Sequence, residues 1–357
     1  MNNPNIEHIK LSFIIPYYNA EKWIAKCLES LLHQDLAEDE YEIIVVDDGS
    51  TGDVEILKDY SQSYSNIFYI WQENKMTCAA RNKGLSLARG EFVFFCDNDD
   101  FVTENVFGRL YNIAKCYNAD VLFFNFNHIQ EGVTPQSHLN FDDVTIYDPG
   151  IKIMLTPPYK ISSGPWEYIV RRDLIISKHL FFNEDVKFRE DYFFYLQMMS
   201  VVGRVAKVDA EIYYWVSHSS SVTHTKGKQL VHRYKGFVNG LYLYLCLLLE
   251  TRKRLMEIGE VPEQTIKKMD DLKDNDAFSI LIHYFRYFPL RENMAMIKKM
   301  NNMKVYPINH SFLEDLKYSQ TKRFILKTVS QLMNIQPLWL SACALFHCLP
   351  PKIRDLC

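Results

Sequence analysis

Short apolar strands and helical segments alternate through the first 130 residues, and this alternation limits the fold more than any other feature. Strands are predicted at LSFIIP, YEIIVVD, IFYIWQE, EFVFFC and DVLFFNFN. Helices are predicted between them, over YYNAEKWIAKCLESLLHQ and over residues 77–88 and 103–117. Strands separated by helices of this length form βαβ units, so we expect an α/β fold with a mainly parallel sheet.

Polar residues follow three of these strands. Residues 16–19 end the first strand, Asp47 and Asp48 end the second, and residues 97–100 end the fourth. The strands are continuously apolar, which is typical of a sheet covered on both faces. Ligands of open parallel sheets bind outside the carboxyl ends of the strands. We therefore expect a binding site where these three groups of polar residues meet.

The sequence changes character near residue 225. Residues 142–221 are mixed, with strand-like runs at VAKV and EIYYWV, whereas long helical stretches follow. The stretches are GFVNGLYLYLCLLLE, EQTIKKMDDLKD, AFSILIHYFRYF and FLEDLKYSQTKRFILKTVSQLM. A chain of 357 residues accommodates one or two domains. We predict an α/β domain over residues 1–225 and a helical region over residues 226–357 for acceptor, membrane or oligomer contacts.

Charge and cysteine usage narrow the class of protein. Forty basic and 44 acidic residues give a net charge of −4, so there is no basic excess to attract nucleic acid. The eight cysteines include no C-x-x-C pair and no zinc-finger spacing, which predicts a reducing, cytoplasmic compartment. The N-terminal MNNPNIEHIK lacks the features of a signal peptide, and no apolar run is long enough to span a membrane.

Asp97 and Asp99 form a D-x-D motif at a strand end. Residues i and i+2 of an extended segment point the same way, so both carboxylates can face one ligand. Carboxylate oxygens suit Mg²⁺ or Mn²⁺. The alternative is a solvated acidic turn, in which Asp100 or Thr103 caps the following helix.

Asp47 and Asp48 permit two interpretations as well. Acids at this place can accept hydrogen bonds from a ribose hydroxyl or a base N–H, or they can form a local turn. The sequence contains neither a G-x-G-x-x-G motif nor a P-loop, which argues against an ordinary dinucleotide or ATP cradle.

The combination of motifs resembles the family 2 glycosyltransferases over about residues 10–225. The motifs are FIIPYYNAEKWIAKCLESLLHQ, YEIIVVDDGSTGD, ENKMTCAARNKGLSLARGEFVFFCDNDD, GPWEYIVRRDLI, FNEDVKFREDYFF and YYWVSHSSSVTH. The resemblance implies the GT-A fold and transfer of a sugar from a nucleotide-sugar to an acceptor hydroxyl. It also implies a bacterial role in making a surface polysaccharide or a lipid-linked oligosaccharide.

The resemblance further implies a donor site for a nucleotide-sugar, with UDP as the nucleotide that the family uses most often. Asp97 would lie near the ribose, and Asp99 would hold Mn²⁺ or Mg²⁺ on the diphosphate. His218 or His224 falls where some members supply another metal or diphosphate contact, although many relatives carry Arg-x-Gly-Ser there. The other implied donor-site residues are Pro16, Asn19, Asp48, Arg81 and Asn98. For Arg81, an ordinary helix-surface position is the alternative.

Asp191 matches the family's catalytic base, with Glu190 beside it. A single base facing the acceptor hydroxyl gives direct displacement and inversion at the anomeric carbon. If both carboxylates face the site, Glu190 raises the pKa of Asp191. The alternative is that both acids cap the aromatic helix YFFYLQMM, because helix N-termini favour negative charge.

Acceptor and membrane contacts are less sharply defined. Trp166 is either a core residue or a platform for the acceptor glycan. The apolar run at residues 338–349 is too short to span a bilayer, and basic residues flank it. It either rests on the inner face of the membrane or packs on the catalytic domain or on a second copy of the chain.

Two other functions compete with glycosyl transfer. A nucleotidyltransferase would need a basic, glycine-rich N-terminal loop for a triphosphate, and FIIPYYNAEK does not supply one. A catalytically silent glycan-binding or scaffold protein would have no need for both the D-x-D motif and the Glu190–Asp191 pair.

Overall fold

The computed structural model describes residues 9–156, 163–186, 190–218, 234–259, 261–287, 290–305, 308–309 and 334. The chain forms two compact units. Residues 1–184 and 190–226 make the first, and residues 185–189 and 227–357 make the second. The short segment 185–189, which groups with the second unit, has no composition change that would have indicated this in the sequence.

The first unit contains a nine-stranded sheet with helices between its strands. Its strands are β1 (Leu11–Tyr17), β2 (Tyr41–Asp47), β3 (Ile67–Trp71), β4 (Phe92–Phe95), β5 (Phe101–Val102), β6 (Val121–Gln130), β7 (Leu139–Tyr147), β8 (Tyr168–Arg171) and β9 (Val205–Ser217). Its described helices are α1 (Ile24–Leu32), α2 (Glu55–Ser63), α3 (Met76–Leu87), α4 (Phe107–Cys116), α5 (Arg172–Ser177) and α6 (Glu190–Val201).

The strand order is β3-β2-β1-β4-β8-β6-β9-β5, with β7 also paired to β9. The run β3-β2-β1-β4 is parallel, and so is the pair of β6 and β9. Every antiparallel pairing involves β5, β7 or β8. These three strands are the ones that the sequence pattern did not predict. The predicted α/β fold is confirmed, and its parallel run carries the polar strand ends.

The centre of the sheet is buried on both faces. All seven residues of β1 and all seven of β2 are buried, as their continuous apolar sequences predicted. Helix α3 packs closely on β1 because Gly84 has no side chain. A Cβ atom there would lie 2.4 Å from Ile14 Cγ2, so any larger residue would push the helix away from the strand.

Several predicted boundaries are wrong for physical reasons. Helix α1 begins at Ile24 because Tyr17 still belongs to β1 and Asn19 turns the chain with a φ of 47°. Helix α4 begins at Phe107 because residues 101–102 pair with β9. The runs VAKV and EIYYWV are parts of one strand, β9. In each case a long-range pairing overrides the local pattern.

The second unit is helical where it is described, with α7 (Tyr234–Ile258), α8 (Glu263–Tyr287) and α9 (Leu290–Asn302). The segments EQTIKKMDDLKD and AFSILIHYFRYF, predicted separately, form the single helix α8. Arg252 on α7 pairs with Asp270 on α8 at 3.3 Å. The predicted helix at 312–333 and the apolar run at 338–349 lie outside the described residues. Among the described helices, none has both the length and the apolar character that crossing a membrane requires.

Candidate functional site

The ends of β1, β2 and β4 are tied to one another by side chains. The last pairing of β4 with β1 is Phe95 with Ile14, and the two strands separate beyond it. The Asn98 side-chain amide donates to the Pro16 carbonyl at 2.8 Å, across the gap. The Asn19 side-chain oxygen accepts the backbone N–H groups of residues 51 and 52, at 2.9 and 3.2 Å. Pro16, Asn19 and Asn98 therefore lie together at this edge.

The two acids at the end of β2 have different roles in the fold. Asp47 accepts the Ser50 N–H at 2.9 Å, which is the local turn that the sequence left open. Asp48 is buried, and its carboxylate accepts the backbone N–H groups of Lys75 and Met76 at 2.8 and 2.7 Å. Asp48 thus satisfies two donors at the start of α3. Its contact with a base stays a prediction.

Arg81 connects the D-x-D motif to the predicted base. Its side chain is 3% exposed, and Nη2 donates to Asp97 Oδ1 at 2.8 Å while Nη1 donates to Asp191 Oδ1 at 2.5 Å. Its guanidinium also lies 5.1 Å from the centre of the Phe182 ring. Burial alone would lower the pKa of Arg81, but Asp191 and Asp97 outweigh burial and raise it. Arg81 is therefore not a helix-surface residue.

Asp191 is in the first turn of α6, which begins at Glu190. Burial raises the pKa of Asp191 to about 6, with Glu190 and Asp97 contributing in the same direction and Arg81 opposing them. Glu190 raises the pKa of Asp191, as the sequence predicted, although burial raises this pKa more. Asp191 is ionised at neutral pH and can take up a proton slightly below it. Both acids also occupy the helix N-terminus, so the two sequence interpretations are compatible.

Asp99 and His218 form the second pair at the site. His218 Nε2 lies 2.9 Å from Asp99 Oδ2, and the His218 ring stacks on Trp23 with centres 4.1 Å apart. Burial and Asp97 raise the pKa of Asp99, and His218 opposes them. A carboxylate oxygen and an imidazole nitrogen are suitable ligands for Mn²⁺, and their spacing is close to the roughly 3 Å between neighbouring ligands of an octahedral cation.

These donors fit a divalent cation without forming a complete protein site. Within the part of the chain that the structure describes, no three His, Cys, Asp or Glu side chains are grouped to hold a metal. A cation that uses one or two protein carboxylates and substrate phosphates does not need such a group. His224, the other predicted candidate, lies outside the described residues.

Asp100 is part of the framework and not a helix cap. Its carboxylate accepts the Val216 N–H at 2.7 Å and the hydroxyl of Tyr213, on β9. Tyr213 Oη in turn accepts the Asp97 N–H at 3.3 Å. The predicted alternative, with Asp100 or Thr103 as the N-cap of the next helix, is wrong. The first three N–H groups of α4 are bound instead by two other side chains, since Gln34 accepts the first and Asp35 accepts the next two.

Replacing Asp100 by Ala is expected to lower the free energy of unfolding by about 2–4 kcal/mol, because two buried donors lose their acceptor. Urea unfolding monitored by circular dichroism measures the change. Asp143→Ala, at an exposed position of β7, is the control and should change stability by less than about 0.5 kcal/mol. A loss in Asp100→Ala no larger than in the control contradicts this role.

Trp166 combines features of both predicted roles. Its ring stacks on Tyr213, with centres 4.8 Å apart and planes 10° from parallel, and it contacts Phe126 edge-on at 4.7 Å. Trp166 is nevertheless only partly buried, and Phe126 is 38% exposed. Trp166 therefore packs on the core through Tyr213, next to the D-x-D motif, and still presents surface to solvent.

The part of the chain that carries most of these site residues matches a known family. Residues 12–179 match the sequence model of glycosyl transferase family 2. These residues, slightly less than half of the chain, are similar to glycosyl transferase family 2, and the predicted resemblance is confirmed over this segment.

Similar proteins support the assignment to the family. The chain is 32% identical over 220 residues to the uncharacterized glycosyltransferase EpsJ of Bacillus subtilis. The aligned region covers 60% of this chain and 62% of EpsJ. It is 29% identical over 214 residues to the poly(ribitol-phosphate) beta-glucosyltransferase of Bacillus spizizenii, covering 58% of this chain and 32% of that enzyme. The matched region thus spans less than two thirds of both relatives.

A solved structure confirms the GT-A fold. The crystal structure of Staphylococcus aureus TarS 1-349 in complex with UDP-GlcNAc superimposes with a TM-score of 0.60 and 21% sequence identity. The alignment covers 95% of this chain and 92% of the TarS chain.

Three residues that shape the site lie within the family 2 motifs but had no predicted role. The Tyr213 hydroxyl forms hydrogen bonds with Asp97 and Asp100. The Trp23 ring stacks on His218, and the Phe182 ring lies beside Arg81. Each acts on a side chain at least 100 positions away. Their roles could not be predicted from the motifs, since their partners become neighbours only when the sheet forms.

Proposed function

We propose that the protein is an inverting glycosyltransferase that moves a hexosyl or N-acetylhexosaminyl group from a UDP-sugar to a hydroxyl of a glycan or lipid-linked oligosaccharide. One observation carries the proposal: Arg81 brings the D-x-D motif and the predicted base into one cluster. A binding protein would not require a base beside its nucleotide site.

The relatives support the choice of donor. A similar structure was solved with UDP-GlcNAc, and similar bacterial proteins are named as poly(ribitol-phosphate) glucosyl- and N-acetylglucosaminyltransferases. In the proposed site, Asp97 binds the ribose and Asp48 binds the base, while Pro16, Asn19 and Asn98 shape the loop around them. These roles follow from the family motif and from the position of the residues at the strand ends.

Asp191 is proposed as the general base. With a pKa of about 6 it is ionised at neutral pH, and it can accept the proton that the acceptor hydroxyl loses. Displacement by that hydroxyl on the face opposite the leaving group inverts the anomeric carbon in one step. Glu190 supports the basicity of Asp191 by raising its pKa.

Asp99 and His218 are proposed to hold the divalent cation, Mn²⁺ or Mg²⁺. Such a cation, when bound, neutralises negative charge on the departing nucleoside diphosphate. Asp99 remains 30% exposed on the side chain, so it is accessible to solvent and to an ion, whereas His218 is held in place by Trp23.

Trp166 is proposed as part of the acceptor site. Aromatic rings offer flat apolar faces suited to sugar rings, and Trp166 is fixed against Tyr213 beside the reacting groups. A cytoplasmic location is also proposed, because the described cysteines are free thiols. Contact of the C-terminal region with the inner face of the membrane, or with a second copy of the chain, is a hypothesis from the sequence alone.

Calorimetric titration with UDP, GDP and CDP, each with and without Mn²⁺, tests the donor site. We expect UDP to bind most tightly and to need Mn²⁺ for most of its affinity. Incubation with UDP-sugars and candidate acceptors then distinguishes the reactions, since glycosyl transfer releases UDP whereas nucleotidyl transfer involves pyrophosphate. Folded protein that binds none of the three nucleotides would favour the silent scaffold.

A further inference from the structure

We propose that Arg81 is a positioning residue for the base and not a ligand of the nucleotide: its guanidinium holds the Asp191 carboxylate and connects it to Asp97. The inference rests on the proposed function, which makes Asp191 the base. It differs from the role that the family motif implies for Arg81, which is a contact near the nucleotide.

Exposure separates Arg81 from the two acids that it joins. The Asp97 and Asp191 side chains are 31% and 29% exposed, whereas the Arg81 side chain is 3% exposed. Both acids therefore reach solvent with part of their side chains, whereas the guanidinium is buried. A nucleotide phosphate would have to displace at least one carboxylate before it could reach Arg81.

Arg81 is held from two directions. Helix α3, which carries it, is capped by Asp48 through Lys75 and Met76. Phe182 is fixed by Asn82, whose side chain accepts the Phe182 N–H at 2.9 Å and donates to the Phe182 carbonyl at 2.8 Å. A planar guanidinium with a fixed fork of donors can bind both acids at once, which a single ammonium group cannot reproduce.

The charges around Asp191 explain why a cation is needed there. Glu190 and Asp97 both disfavour its ionised form, the buried hydroxyl of Tyr168 interacts with it, and Arg81 is the cation among these groups. Removing a positive charge in direct contact with a carboxylate raises its pKa by about 1–3 units. Without Arg81, Asp191 would be largely protonated at neutral pH and could not act as a base.

The test compares Arg81→Gln and Arg81→Lys with the control Lys83→Gln, which removes an exposed charge from the same helix. We expect the acid limb of the kcat/KM profile to move up by at least one pH unit in Arg81→Gln. The rate at pH 6.5 should fall by a factor of about 3 or more and recover in part at higher pH. UDP affinity, measured by calorimetry, should change less than threefold. The control should match the wild type in every measurement.

Two results would overturn the inference. One is an acid limb that does not move. The other is a loss of UDP affinity as large as the loss of activity, which would make Arg81 a nucleotide ligand. Arg81→Lys, which keeps the charge, should shift the limb less than Arg81→Gln and provides the test if the glutamine variant unfolds.

A readout independent of activity separates this inference from the proposed function. Carboxyl carbon NMR of aspartate-labelled protein follows the titration of Asp191, assigned by its absence in Asp191→Asn. Its midpoint should rise in the Arg81 variants even if no sugar is transferred. If both variants unfold, the Arg81 side-chain nitrogen signals of the wild type must shift as the pH falls through about 6, and signals that stay constant refute the contact.

Discussion

Asp191→Asn is expected to reduce sugar transfer by a factor of about 10²–10⁴, the usual contribution of a general base. The amide has nearly the shape of the carboxylate but cannot take up the acceptor proton. UDP affinity should change less than threefold, because Asp97, Asp99 and His218 are unaltered. Release of UDP in the presence of donor and acceptor gives the rate, and calorimetry gives the affinity.

The pH profile provides a second check on Asp191. A base must be deprotonated to act, so transfer should decrease as the pH falls through about 6, the pKa of Asp191. Glu190→Gln removes a neighbouring negative charge and should move this limb to lower pH while transfer continues. Asp191→Asn with transfer within tenfold of the wild type would assign the base to another residue.

Asp99→Ala is expected to remove the dependence of UDP binding on Mn²⁺. Asp99 and His218 bring an oxygen and a nitrogen ligand within 2.9 Å of each other, so loss of either ligand should weaken the metal-dependent affinity by at least about 100-fold. The weak binding of UDP without Mn²⁺ should stay as in the wild type. Transfer should fall in parallel with the metal-dependent part of the affinity.

A double-mutant cycle shows whether the two residues hold the same cation. If they do, Asp99→Ala and His218→Ala together should weaken Mn²⁺-dependent binding little more than either alone, because the first change already removes the ion. Additive losses would indicate two independent contacts. Wild-type dependence on Mn²⁺ in Asp99→Ala would exclude Asp99 as a ligand.

Local sequence patterns predicted the parallel part of the sheet well and the antiparallel part poorly. The strands β1, β2, β3, β4 and β6 are apolar runs bounded by turn residues. The burial of β1, β2 and β4 on both faces agrees with their composition, whereas β3 is only partly buried although its sequence is apolar. In contrast, β5 has two residues and β8 has four, and both depend on partners far along the chain. Such short strands form because a neighbouring strand supplies their hydrogen bonds. A local sequence pattern carries no information about that neighbour.

The residues of the candidate site could be predicted from the sequence, but the contacts among them could not. Strand ends were sufficient to nominate Asp97 and Asp99, because strand direction places the ends of β1, β2 and β4 on one edge. Asp191 and His218 were predicted only from the resemblance to family 2. The contacts among these residues needed the folded chain. Asp191 is 110 positions from Arg81, and His218 is 119 positions from Asp99.

Residue types and local spacing predicted the family resemblance, the parallel core of the sheet and the kinds of side chain available for chemistry. The roles of three side chains depend on the folded chain. Asp100 accepts hydrogen bonds from β9, and Asp48 accepts the N–H groups at the start of α3. Arg81 is buried and donates to both Asp97 and Asp191. Burial and charge at these positions arise from segments far apart in the chain, so the protonation state of Asp191 is a property of the packed fold and not of its local sequence.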